Sequence, residues 1–149
     1  MNPRAATAAD AWPIRRLIYR TGINPSGLKW ERFLVIDSPE GALIACGQIK
    51  PHADGTRELA SIAVRPEWRG RGLARRIIEG LLERETGEVF LMCRSSNAPL
   101  YEKFQFGEAA LADLPRYFQR VFRFAGRMNL LIAEGERLMI MRRQPNKNL

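Results

Sequence analysis

Residues 64–76 have the sequence VRPEWRGRGLARR, and this stretch decides the fold of the 149-residue chain. The preceding run, 58–64, is mostly apolar and is stopped by Pro66, which is typical of a strand. The following residues place five aliphatic side chains at helical spacing: Leu73, Ile77, Ile78, Leu81 and Leu82. The sequence therefore predicts a strand, a glycine-containing loop and an amphipathic helix in direct succession.

The loop between this strand and this helix has the properties of an anion-binding site. Gly70 and Gly72 can adopt backbone conformations that other residues rarely adopt, and without side chains they leave backbone N–H groups uncovered. The first turn of the helix adds unpaired N–H groups and the positive end of its dipole. Four arginines add side-chain charge: Arg69, Arg71, Arg75 and Arg76. The spacing matches neither the dinucleotide fingerprint nor the P-loop. A basic turn that only caps a surface helix is the alternative interpretation.

Two motifs in this order resemble those of the GNAT acetyltransferase superfamily. Residues 69–74, RGRGLA, fit its R/Q-x-x-G-x-G/A signature, and residues 62–66 match the strand end that usually precedes it. Residues 97–106, NAPLYEKFQF, resemble the second motif, an Asn followed by a Tyr-Glu-Lys-x-Gly-Phe run, with Gln105 in place of the glycine. The resemblance covers roughly residues 4–109 and is specific over 58–106.

This resemblance implies an α+β fold, with a central mixed, mostly antiparallel twisted sheet flanked by helices. It also implies acetyl-coenzyme A as the cosubstrate, with the pyrophosphate on the N–H groups of residues 70–75 and the pantetheine arm paired with the strand end. No metal is implied. The cofactor-binding residues implied by the resemblance are Ile62, Ala63, Val64, Arg69, Gly70, Arg71, Gly72, Leu73, Ala74, Arg75, Asn97 and Tyr101.

Transfer of an acetyl group to an amine requires a base, because an alkyl ammonium keeps its proton at neutral pH. Glu58 is the candidate base, since it opens the strand where similar proteins often place a catalytic carboxylate. A strand-edge carboxylate paired with Arg57 or Lys50 is the alternative interpretation. Histidine side chains ordinarily gain or lose a proton near neutral pH. His52, the only histidine, is therefore a second candidate base or relay, although its position in a turn favours a surface role.

The thiolate that leaves in this reaction needs a proton. Tyr101 matches the motif tyrosine that commonly serves as general acid in similar proteins, and a packing role for its ring is compatible with that. Cys93 is interpreted as a buried thiol, because no histidine lies near it in sequence to activate it. Cys46 is interpreted in the same way, and the two cysteines indicate a reducing compartment.

The amino-acid composition limits the classes of protein to which the chain can belong. With 46% apolar and 27% charged residues, we expect residues 1–149 to form a single GNAT-like domain in which 110–149 is atypical. No apolar run approaches the roughly 20 residues of a membrane span, and the N-terminus lacks a signal-peptide core, so a cytoplasmic protein is expected. The net charge of +8 is concentrated in residues 65–76 and 114–149, which indicates an anionic partner.

The periodicity predicts further elements along the chain. We expect a helix over 10–20, a hairpin of strands 33–36 and 43–49, a strand over 89–93, a short helix over 98–104, a helix from about 114, and a strand over 137–142. Four aromatic residues near the N-terminus are expected in the core or a substrate wall, and not as base-stacking platforms: Trp12, Tyr19, Trp30 and Phe33.

The tail carries a pattern that the family does not explain. Its helix has a basic stripe of Arg116, Arg120, Arg123 and Arg127. The other face carries Leu114, Phe118, Val121, Phe122 and Ala125. The stripe fits a solvated helix face, a surface for nucleic acid or acidic membrane, or charges that recruit an anionic acceptor. The apolar run Met128–Ala133 is a candidate homodimer interface.

These patterns together predict an acyltransferase that moves an acetyl group from acetyl-coenzyme A to a primary amine of a small molecule or amino acid, by direct attack in a ternary complex. Two alternatives stay open. One is a nucleic-acid-binding module that uses the basic stripe of the tail. The other is a GNAT-like protein that binds coenzyme A without turnover.

Overall fold

The computed structural model of the protein describes residues 1–127 and 135–145. The chain divides into two compact units, which are described in turn. The first contains Met1–Lys50 and Leu59–Glu85, and the second contains Pro51–Glu58 and the chain from Thr86.

The first unit combines four strands with two helices. The strands are β1 (Arg4–Ala5), β2 (Phe33–Asp37), β3 (Leu43–Pro51) and β4 (Arg57–Val64), side by side in that order, and the last residue of β3 and the first two of β4 belong to the second unit. β2 and β3 form the predicted antiparallel hairpin, with Phe33 opposite Gln48. The helices are α1 (Ala11–Thr21) and α2 (Leu73–Leu82).

Both helices of this unit follow from their apolar spacing. α1 buries Ile14, Leu17 and Ile18 in a cluster with Phe33 and Val35 of β2. α2 buries all five aliphatic residues of the predicted stripe, 73, 77, 78, 81 and 82. The sequence-based predictions of these two helices are therefore confirmed.

Two of the four N-terminal aromatic residues that we expected in the core or a substrate wall lie outside the core. Trp12 is 71% exposed and Tyr19 is 70% exposed, whereas Phe33 is buried and Trp30 packs at the edge of the core. Residues 12 and 19 are seven apart and lie on the face of α1 opposite Ile14, Leu17 and Ile18, so burial of the aliphatic face turns both aromatic rings outward.

The second unit continues from the start of β4. Its strands are β5 (Val89–Arg94), β6 (Gly107–Glu108) and β7 (Leu138–Arg143), and the order is β4-β5-β7-β6. Glu58 and Phe90 pair in parallel, while the β5–β7 and β6–β7 pairs are antiparallel. Two helices complete the unit, α3 (Ala98–Glu102) and α4 (Arg116–Arg127). The expected α+β class, with a mixed and mostly antiparallel sheet, is confirmed.

The predicted apolar face of the tail helix is correct only at its beginning. Leu114 and Phe118 are buried against Phe90 and Ile140. Phe122, which we expected on the same buried face, is 38% exposed. The basic stripe is exposed at Arg116, Arg120 and Arg123.

Several sequence-based expectations for the tail lie outside what is described. The side chains of Ala125 and Arg127 and the candidate interface Met128–Ala133 lie outside the described residues. Within the described ranges, no helix combines the length and the hydropathy needed to cross a bilayer.

Asp10 gives the first unit a pH-dependent contribution to its stability. Its buried carboxylate accepts hydrogen bonds from Arg4 (Nη1–Oδ2 2.8 Å) and from the Thr7 N–H (2.7 Å). The Arg4 contact lowers the pKa of Asp10 from 3.8 to about 2. The ionised carboxylate therefore adds to the free energy of unfolding above the ordinary carboxylate pKa. This contribution is lost as the pH falls through the lowered pKa of Asp10.

Asp10→Asn is expected to lose about 2 kcal/mol of unfolding free energy at neutral pH, since the pKa shift corresponds to roughly that amount. The difference in unfolding free energy between parent and variant should become smaller as the pH falls from about 4 to about 2. Thermal unfolding of both proteins across this range measures the difference, and a difference that does not change with pH would contradict the assignment.

Candidate active site

The loop that joins β4 to α2 contains two glycines in the left-handed region. After a short 3₁₀ turn, Pro66–Trp68, Gly70 has φ +76° and Gly72 has φ +74°. The carbonyl oxygen of Gly72 accepts a hydrogen bond from the Arg76 N–H (3.1 Å), and this is where the helix begins. The N–H groups of residues 73–75 have no acceptor inside α2, and its N-cap glycine supplies no side-chain cap.

Space around the two glycines is open. A Cβ atom added to Gly70 or to Gly72 would meet no other described atom within 4 Å. A ligand can therefore approach the backbone of this loop closely, which agrees with the prediction of an anion site.

The arginines of the loop are not equivalent. Arg69 donates from Nε to the Val64 carbonyl oxygen (3.4 Å), and the Arg71 guanidinium lies 4.6 Å from the centre of the Trp68 ring. Arg75 forms an ion pair with Glu79 at 2.7 Å, so its charge is partly neutralised. Arg69 and Arg71 remain the better candidates for direct contact with an anionic ligand.

A local distortion of β4 separates Glu58 from the strand end. Ser61, with φ +58°, is a non-glycine residue in the left-handed region. Its hydroxyl accepts a hydrogen bond from Gln48 Nε2 at 2.9 Å, and its carbonyl oxygen is 3.7 Å from Cys46 Sγ. A residue in this conformation costs on the order of 1–3 kcal/mol and persists only where its surroundings hold it. The sequence gives no signal for it, because serine is ordinary in strands.

Ile62, Ala63 and Val64 follow the distortion and end the strand before the loop. Ala63 is buried, and the other two are half-buried. These residues lie in the first unit together with the whole predicted loop.

Glu58, the predicted base, lies in the second unit with an unexpected partner. Glu58 is 7% exposed, and its Oε2 lies 2.6 Å from His52 Nε2. The turn 52–55 is closed by a hydrogen bond from the His52 N–H to the Thr56 carbonyl oxygen (2.9 Å), and it places the imidazole against residue 58. The surface role expected for His52 is wrong, since its side chain is only 16% exposed.

The His52 ring is covered by a residue of the tail. Tyr117, in the first turn of α4, stacks on it with ring centres 3.5 Å apart and an interplanar angle of 16°. The Tyr117 N–H also donates to Asp54 Oδ2 at 2.9 Å. Hydrogen bonds from Thr56 and from this N–H lower the pKa of Asp54 to about 2, while burial and the nearby Glu58 and Asp54 carboxylates raise the pKa of Tyr117. The pattern in the sequence did not single out Tyr117.

Tyr101, the predicted acid, lies in α3 and meets Phe106 edge-on with ring centres 6.2 Å apart. Burial raises its pKa to about 12, so its phenol is protonated at neutral pH. Asn97 precedes α3 at its N-cap and is exposed.

Both cysteines are buried and unpaired, as expected. Burial raises the pKa of Cys93 to about 11 and that of Cys46 to about 12. Both are therefore protonated thiols at neutral pH and poor nucleophiles. In the part of the chain that the structure describes, no three His, Cys, Asp or Glu side chains are grouped as metal ligands would be.

Several solved structures share this fold. N-acetylglutamate synthase from Neisseria gonorrhoeae, complexed with coenzyme A and N-acetyl-glutamate, is 19% identical with a TM-score of 0.75, and the match covers 98% of this chain and 35% of that one. Rv2747 from Mycobacterium tuberculosis, in complex with CoA, is 19% identical with a TM-score of 0.73, covering 98% and 100%. The chain thus spans about a third of the Neisseria enzyme and all of the mycobacterial protein.

A further match is the ribosomal-protein-S18-alanine N-acetyltransferase from Escherichia coli, which is 21% identical with a TM-score of 0.64, covering 99% of this chain and 97% of that one. A search of curated proteins found no match. The family model of the acetyltransferase (GNAT) domain matches residues 29–108, which is more than half of the chain. The two sequence motifs and this match lead to one conclusion: the chain belongs to the GNAT acetyltransferase family.

Proposed function

We propose that the protein transfers an acetyl group from acetyl-coenzyme A to a primary amine of a small molecule or amino acid. The observation that carries the proposal is the open glycine loop, which presents unpaired N–H groups beside Arg69 and Arg71. Membership of the GNAT family supports acyl transfer, and the coenzyme A bound by the Neisseria and mycobacterial proteins supports the choice of cosubstrate.

In this proposal the N–H groups of Leu73, Ala74 and Arg75 hold the pyrophosphate, with Gly70 and Gly72 leaving room for it. Ile62, Ala63 and Val64 pair with the pantetheine arm through their backbone. Asn97 is a further candidate contact of the cosubstrate. None of these roles requires a metal ion.

The proposed chemistry uses two side chains. Glu58 accepts a proton from the ammonium group of the acceptor, and the free amine then attacks the thioester carbonyl carbon. The C–S bond breaks, the new C–N bond remains, and the thiolate takes a proton from Tyr101, whose raised pKa keeps that proton available. The attacking nitrogen loses its surplus proton to solvent, and the Tyr101 phenolate regains a proton from solvent. His52 holds Glu58 through the 2.6 Å contact between Nε2 and Oε2.

The proposal also names the class of molecule that accepts the acetyl group. The Neisseria structure contains N-acetyl-glutamate, which supports an amino acid as acceptor. The name of the Escherichia coli enzyme gives a protein alanine as its acceptor, so short peptides belong in the same screen.

The proposal is tested by thermal unfolding with acetyl-coenzyme A, followed by assays of free thiol release on a panel of amino acids, peptides and small amines. At a hundredfold excess over Kd, the ligand should stabilise the protein by about 2.7 kcal/mol. Gly72→Trp should abolish the shift, because the indole would occupy the open space above the loop.

Gly41→Trp is the matched control. Gly41 has φ +85° and equally open surroundings, but it lies in the turn between β2 and β3. It should carry a similar conformational strain and keep the shift. Absence of a shift in the parent, or equal losses in both variants, would contradict the cosubstrate site. A shift without thiol release on any amine would favour the non-catalytic alternative.

A further inference from the structure

The outward face of α1 combines exposed aromatic rings with arginines, and we call Trp12, Arg15, Arg16, Tyr19 and Arg20 the α1 surface. Trp12 and Tyr19 are among the most exposed large apolar residues described, at 71% and 70%. Seven residues separate them, which is about two helical turns or roughly 10 Å along the helix axis. The three arginines are exposed on the same face.

The charge of the α1 surface is not neutralised from within. α1 contains no acidic residue, and the acidic residue just before it, Asp10, is buried and bound to Arg4. None of the three arginines has a hydrogen-bond or ion-pair partner among residues 1–127 and 135–145. The surface therefore offers three guanidinium groups to an external anion.

The same helix excludes one class of anionic partner. A helix that lies in a membrane surface needs a broad aliphatic face to insert among the lipids. The aliphatic residues Ile14, Leu17 and Ile18 are buried in the protein core, so only the two aromatic rings are left on the outside. The surface is therefore poorly suited to insertion into an acidic membrane.

Exposed aromatic rings between arginines are suited to a single-stranded nucleic acid. Its unpaired bases stack on aromatic side chains, and its phosphates contact the arginines. We propose that the α1 surface binds single-stranded nucleic acid, which replaces the sequence-based expectation that Trp12 and Tyr19 are not base-stacking platforms. This proposal is independent of the proposed acetyl transfer, since it uses no residue of the loop or of the Glu58 site.

The test is fluorescence anisotropy of a labelled mixed-sequence single-stranded RNA with the full-length protein, in a salt titration. The parent should bind, and the double variant Trp12→Ala/Tyr19→Ala should bind at least about tenfold more weakly, because each of the two stacked bases contributes about fivefold or more. The double variant Arg15→Ser/Arg16→Ser should also flatten the slope of log K against log salt by about 1.4.

A charge-matched pair on another helix controls for the net charge of +8. Arg120→Ser/Arg123→Ser removes two exposed charges from α4 and should change the affinity much less than either α1 variant. All replaced side chains are exposed, and thermal unfolding verifies that each variant folds. Absence of RNA binding, or an equal loss in the α4 control, would overturn the proposal. Binding to anionic vesicles that depends on Trp12 and Tyr19, with none to RNA, would replace it with a membrane surface.

Discussion

Glu58→Gln is expected to lower kcat by about 10²–10⁴-fold and to leave the thermal shift with acetyl-coenzyme A intact. The amide keeps the size of the side chain but cannot accept a proton from the ammonium group of the acceptor, and positioned bases contribute about that factor. The loss corresponds to roughly 3–5 kcal/mol of transition-state stabilisation. The measurement is the rate of free thiol release on the best acceptor of the panel.

The Glu58 prediction separates two measurements: the rate of acetyl transfer should fall, and binding of the cosubstrate should stay unchanged. Glu58 lies six residues before Val64 and outside the glycine loop, so the cosubstrate should still stabilise the variant. Raising the pH should restore part of the rate, because a larger fraction of the acceptor is then already a free amine. A variant with parental kcat would remove Glu58 from the mechanism, while loss of the thermal shift would indicate a structural role.

His52→Leu is expected to lower kcat by about 10–100-fold, since a hydrogen bond to a charged group contributes about that factor when it is lost. The imidazole Nε2 lies 2.6 Å from Oε2 of the buried carboxylate and holds it in place. A carboxylate without this contact should accept the proton of the bound acceptor less efficiently, while the cosubstrate still binds. The loss should therefore appear in kcat, and the thermal shift with acetyl-coenzyme A should stay intact.

Two further variants separate the hydrogen bond from simple packing. His52→Gln offers an amide N–H and should recover part of the rate. Tyr117→Leu removes the ring stacked at 3.5 Å and should lower kcat less than His52→Leu. Tyr19→Leu is the matched control, since its ring is exposed and should leave kcat unchanged. A parental kcat in His52→Leu, or no recovery of the rate in His52→Gln, would contradict the positioning role.

The features that the sequence predicted best are those that depend on neighbours along the chain. α2 follows from five aliphatic residues at helical spacing, and the tight loop before it follows from two glycines. The edge strands Arg4–Ala5 and Gly107–Glu108 were not predicted, because two residues are too few to show an alternating pattern.

The features that the sequence did not predict depend on tertiary contacts. The Glu58 partner is fixed by the closure of the turn 52–55, and Tyr117 reaches His52 from sixty-five residues further along the chain. Trp12 and Tyr19 were expected in the core or a substrate wall from their side-chain type, whereas the burial of Ile14, Leu17 and Ile18 determines which face of α1 is exposed. Residue type alone does not give the orientation of a helix.

The stack of Tyr117 on His52 has a consequence for how the boundaries of this domain are drawn. The family model ends at residue 108, and Tyr117 lies beyond it. A shortened chain that ended at the last matched residue would keep Glu58 and His52 but would lose the aromatic ring that covers the imidazole and the N–H that binds Asp54. In this protein, the segment that the family model matches is shorter than the segment that holds Glu58, the proposed base, in place.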